Sequence, residues 1–289
     1  MTWQLLITGY LILGTASYLL RRKLATTLKQ HNRLINGFFF IVVLYPLGLI
    51  VASLSNPNLS IGWQNMLILL IGSGVFPLIN LLSFRASKDV DAGLYTILSN
   101  LTPIITILAA SLLLNETLNS QQQLGAVIII ASTFLATVPR LRHRLTSSSS
   151  GLAFALLSVS LLGLAIVFER WMLTRIDFGA YLVFGWGAQT LWMTIAAWPE
   201  RRNIKILKDR SNFWPVLGYG ITNAFKGLCF VGALKLSANV SLVGASASFM
   251  AVLVVLSAYF VLKEKEWLWF KIGAAVLGTV GLIILNVAK

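Results

Sequence analysis

The sequence predicts an all-α membrane protein of ten transmembrane helices, arranged as two inverted five-helix repeats. Three observations lead there. Of 289 residues, 57% are hydrophobic and only 11% charged, with a mean hydropathy of +0.81, whereas a soluble domain carries about 25% charged residues. Apolar runs of about 20 residues, long enough to cross a bilayer core as a helix, recur along the chain. The second half repeats features of the first at a nearly constant offset.

The spans fall at roughly residues 2–20, 34–54, 63–84, 92–114, 122–139, 151–171, 179–198, 213–234, 240–262 and 267–286. They are helices because backbone groups in lipid must be satisfied within the segment, and the alternation of barrel strands is missing. The N-terminal stretch has no basic region before its apolar run and no small-residue cleavage site, so it reads as the first span. The longest loops, 139–150 and 199–212, are basic or serine-rich. TSSSSG (146–151) is the expected linker, giving repeats over 1–146 and 147–289.

The net charge is +14, but the charges fall in short loops, where they report topology before any binding patch. Loops after odd-numbered spans hold 17 Lys and Arg, against 4 on the other side. The positive-inside rule then puts the odd loops in the cytoplasm and both termini outside. Nucleic acid is not an expected partner; the lipid bilayer and a small-molecule substrate are. A homodimer is compatible with the sequence. The single cysteine, Cys229, excludes an intrachain disulfide. No cluster suggests a metal or cofactor, and no nucleophile motif, phosphate-binding loop or loop of sufficient size suggests an enzyme.

The halves align in several places. GTASYLLRRKLAT (14–26) matches GLAIVFERWMLT (163–174) at an offset of 149. LLLNETLNSQQQLGAVI (112–128) matches YFVLKEKEWLWFKIGAAV (259–276), with Glu116 over Glu264 and Gly125 over Gly273. An odd number of spans per half inverts the second half, the building plan of many secondary transporters, with the substrate site near the midplane between the halves.

On these residues the chain resembles the drug/metabolite transporter superfamily, in its ten-span EamA-like branch. NLTPIITILAASLLLNETLNSQQQLGAVIIIAS (100–132) carries the resemblance: an early proline in the fourth span, a leucine run, a glutamate at the exit and a glycine in the next span. The second copy keeps Glu264 and Gly273 but has Ala251 where the first has Pro103. The resemblance implies a compact ten-helix, multi-pass transporter of the plasma (inner) membrane. It would move small organic solutes, such as amino acids, related metabolites or drugs, by alternating access. Family members are usually drawn with cytoplasmic termini, the reverse of the charge count. The first span also lacks the mid-span glutamate of proton-coupled multidrug relatives.

One residue defies the hydropathy. Lys226, in ITNAFKGLCFVGAL, sits about fourteen residues into the eighth span, roughly 20 Å from its start at 1.5 Å per residue. A lysine at that depth costs about 2.5–3.5 kcal/mol on insertion scales. An aqueous cavity, an anion or a carboxylate must offset the cost. The functional expectation is a substrate carboxylate or phosphate at Lys226; the structural alternative is a lysine bonded to helix carbonyls or a fixed acid. Glu169 is the acid best placed to enter the membrane, either as an interfacial neighbour of Arg170 or as a coupling group or ion-pair partner of Lys226. Asn223 shares a helix face with Lys226. Asn80 and Asn100 lie beside Pro77 and Pro103, where prolines free backbone carbonyls. Trp186, flanked by Gly185 and Gly187, either stacks on substrate or packs. The expected function is a secondary transporter of a small organic, possibly anionic, solute; the alternatives are a flippase for a lipid-linked or phosphorylated substrate and a multidrug exporter.

Overall fold

The computed structural model describes residues 2–28, 31–90, 95, 98–99, 101–141, 149–262 and 268–287. Among them the regular structure is helical, with no strand. Helix α1 covers Trp3–Thr27; α2 (Asn32–Phe38) runs through a π-helical segment, Phe39–Leu44, into α3 (Tyr45–Ser55). Helices α4 (Trp63–Gly72) and α5 (Val75–Asp89) follow, then α6 (Leu101–Leu114) and α7 (Ser120–Leu141). The second half holds α8 (Ser149–Arg175), α9 (Trp186–Ala197), α10 (Arg210–Leu236), α11 (Val240–Ser248), α12 (Met250–Leu262) and α13 (Leu268–Val287).

Among the described residues, four helical stretches are long and apolar enough to cross a membrane: Trp3–Ala25, Asn32–Ser55, Trp63–Ser87 and Ser150–Arg175. Leu101–Leu114, Val240–Val254 and Ile272–Leu285 are shorter apolar helices. The outer surface is apolar, with Leu54, Leu112 and Trp269 about four-fifths exposed. Buried polar groups bond inward: Thr15 and Thr106 donate to carbonyls four residues back. Chemistry turned inside out in this way marks an integral, multi-pass membrane protein.

The helix breaks have chemical causes. Pro46 has no N–H to return to Val42, and the ladder before it loosens into the Phe39–Leu44 π segment. Thr190 Oγ1 donates to the Phe40 carbonyl in that segment at 3.3 Å. A second π segment, Tyr181–Gly185, follows a single turn at Phe178–Ala180. Asp209 and Asn239 cap α10 and α11, accepting from the N–H groups of Ser211 and Ser241. Between α9 and α10, Trp198–Lys208 forms a basic 3₁₀ segment with Leu207 turned inward.

Three pairings organise the bundle: α1 lies along α10, α5 along α8, and α7 along α13. The last is the closest approach. A Cβ at Gly125 would sit 2.7 Å from the Leu285 nitrogen and 2.9 Å from the Gly281 carbonyl oxygen. The facing glycine is thus Gly281; Gly273, the repeat counterpart of Gly125, has open space around it. Helix α1 also packs on α12 and α11, and α8 on α6.

Candidate functional site

The arrangement leaves a central cavity of about 300 Å³. Its walls come from α1, the Phe39–Leu44 segment, α5, α6, α8, α9, α10, α11 and α12; no described residue of α7 or α13 reaches it. It runs from Glu169 and Val231 at one end to Arg21 and Tyr95 at the other.

Lys226 lines this cavity, half-buried. It reaches across to α1, where its Cδ would lie 3.3 Å from a Cβ at Gly14, so the absent side chain makes room for the lysine stem. Among the described residues no carboxylate forms an ion pair with it. Asn223, one turn earlier, also lines the cavity, and its Oδ1 accepts from Ser17 Oγ at 3.2 Å. That bond ties α10 to α1 beside the lysine. Asn80 lines the wall from α5, but its amide donates to its own helix, to Phe76 O at 2.9 Å. Trp186 is buried against Gly48 with its edge on the cavity. Asn100 lies outside the described residues. Leu78, which lies at the same repeat offset from Lys226 as Glu116 from Glu264, is 46% exposed on the outer surface.

Glu169 faces the cavity too, 4% exposed, but its partner is Tyr181 rather than Lys226. The Tyr181 hydroxyl donates to Glu169 Oε1 at 2.6 Å, and Gln189 lines the cavity as well. The π segment aims Tyr181 inward, and Gly185 leaves room for its ring, 3.0 Å from where a Cβ would sit.

Just past Glu169 and Val231 the helix ends are locked together. Arg170 Nε donates to Glu116 Oε1 at 3.2 Å, and Arg170 Nη1 to the Leu234 carbonyl at 2.8 Å. The other Glu116 oxygen accepts from Val240 N, the first residue of α11, at 2.6 Å. Lys235 Nζ donates to the Leu173 carbonyl at 2.7 Å. Glu116 therefore caps a helix of the other half of the chain rather than its own. This polar latch lies next to the Glu169 and Val231 end of the cavity.

Sequence reasoning missed Arg21. It counted as a loop charge after a span ending near residue 20, but α1 runs on to Thr27 and turns Arg21 into the cavity. Its guanidinium lies 5.3 Å from the Tyr18 ring centre and 5.7 Å from that of Tyr95.

Residues 2–138 match the EamA-like transporter family of the drug/metabolite transporter superfamily. The match spans just under half of the chain. A solved structure described only as "Crystal structure of protein" superposes on this chain with a TM-score of 0.70 at 16% identity, covering 99% of this chain and 97% of the other. At that identity the likeness is one of fold alone. No curated protein matches the sequence. The match points to a membrane transporter of the drug/metabolite type.

Proposed function

We propose that this EamA-like protein is a secondary transporter that moves a small organic anion, an amino acid or related metabolite, across the plasma (inner) membrane by alternating access. The observation that carries the reading is Lys226: a cation inside the membrane, facing a central cavity, without a carboxylate partner among the described residues. A buried charge is tolerated when something compensates it, and a substrate anion supplies that compensation when it binds.

The chain is read as ten spans in two inverted repeats, 1–146 and 147–289. The helix pairings support this. Exchanging the halves turns the pair of spans one and eight (α1 and α10) into the pair of spans six and three (α8 and α5), and both pairs pack closely. Spans five and ten (α7 and α13) exchange into each other, and they form the third close pair. Pro103 and Ala251, aligned in the two copies, both line the cavity. The latch of Glu116 and Arg170 then acts as the barrier on one side of the site, and alternating access requires it to open.

Counterflow in proteoliposomes tests the reading. Vesicles loaded with a panel of unlabelled amino acids, organic anions and amphipathic cations should accumulate the matching labelled solute only for carboxylate- or phosphate-bearing members. Counterflow confined to amphipathic cations would replace this reading with a multidrug exporter.

A further inference from the structure

A second cation shares the cavity with Lys226. Arg21 lies seven residues beyond Gly14 on the same face of α1, about 10 Å further along the axis at 1.5 Å per residue. Because the Lys226 stem packs at the level of Gly14, the two charges are spread along the cavity rather than stacked at one point. Neither has a carboxylate partner among the described residues, where the ion pair is that of Glu116 with Arg170. Among the described residues the one acid facing the cavity, Glu169, is held by Tyr181.

We propose that the transported solute is a dianion whose two anionic groups are separated along its length, one held by Lys226 and the other by Arg21. The proposal rests on the transporter reading above and narrows it. Arg21 suits the second site. Its guanidinium lies near the Tyr18 and Tyr95 rings, and the N–H donors of its fork can grip a carboxylate or phosphate in a fixed plane. Lys226 suits the first, as a point charge on a flexible stem that adapts to solutes of different length. Between them Phe39 and Tyr219 pack ring to ring, and Ser17 and Asn223 are bonded to each other, so the linker joining the anionic groups is expected to be a carbon chain. A single anion would satisfy one cation and leave the other facing low-dielectric space, which is the costly arrangement.

The test is thermal stabilisation of the purified, intact protein by straight-chain dicarboxylates, from succinate to suberate, against monocarboxylates of the same lengths. The best dicarboxylate should reach half-maximal stabilisation at a concentration at least tenfold lower than its monocarboxylate. In Arg21→Gln that ratio should fall to near one while monocarboxylates act as before. Arg21→Lys, which keeps the charge, should retain part of the preference, and circular dichroism of each variant checks its folding. Equal potency of the two series in the wild type, or a dicarboxylate preference unchanged in Arg21→Gln, would overturn the dianion proposal and leave the anion reading standing. Stabilisation by neither series would overturn both.

Discussion

The Tyr181 hydroxyl lies 2.6 Å from Glu169 Oε1, deep among α8, α9 and the π segment between them. This bond separates the two ionisable residues that the sequence invites one to pair. Glu169 has its donor, and Lys226, in the same cavity, is left for a ligand.

Tyr181→Phe keeps the ring and removes that donor. A hydrogen bond to a charged group contributes about 1.5–3 kcal/mol, so the variant should unfold at a clearly lower temperature in detergent. Glu169→Gln should cost less, because its amide oxygen still accepts from the phenol. Equal melting temperatures for the wild type and Tyr181→Phe would show that the bond contributes nothing.

The latch gives a conformational prediction. Glu116→Gln removes the charge that holds Arg170 while preserving shape. A loss of about 1.4 kcal/mol shifts a two-state population about tenfold, so the closed end should open more often. The reporter is a cysteine at Val231, at the cavity's latched end, in a Cys229→Ala background. Its reaction with a membrane-impermeant maleimide added from that side should accelerate several-fold in Glu116→Gln. An unchanged rate removes the latch from the gate.

The crossing of α7 and α13 gives a packing prediction. Gly125→Leu forces side-chain atoms into the Leu285 and Gly281 backbone, and overpacking typically costs about 1–3 kcal/mol. Gly273→Ala has open space and should stay within about 0.5 kcal/mol of the wild type. Thermal unfolding of both variants distinguishes the pair, and an equal effect would contradict the geometry.

The charge bias predicts topology. Moving Arg21 from loop to cavity leaves the excess of Lys and Arg on the odd loops intact, and the basic Trp198–Lys208 segment belongs to one of them. Both termini should therefore be accessible to protease from outside spheroplasts. Cleavage of terminal tags only after lysis would reverse the orientation.

How much of this was legible in the sequence varies with the kind of signal. Apolar run length locates helices well because lipid imposes it, and Lys226 stands out because a charge in such a run is expensive. The neighbours that define its surroundings left no such trace. Arg21 looked like a span-end charge because hydropathy cannot tell where a helix continues past the apolar run. Tyr181 is an ordinary span residue until a π segment and the fold bring it to Glu169. Glu116 was legible as a helix-end residue, but that it caps α11 from across the chain depends on a contact between distant positions. The small-residue match of Gly125 with Gly273 was a sequence correspondence, and the spatial partner proved to be Gly281.

The central claim is that Lys226 receives the substrate anion. The most direct measurement is initial flux, into proteoliposomes, of the solute that counterflow identifies, comparing wild type with Lys226→Met at equal reconstitution and equal melting temperature. Methionine keeps the unbranched stem that packs over Gly14 and removes the charge. The account predicts a loss of flux of at least tenfold in Lys226→Met, with the monodisperse, folded protein retained. Unchanged flux would contradict it and leave the lysine a structural residue of α10.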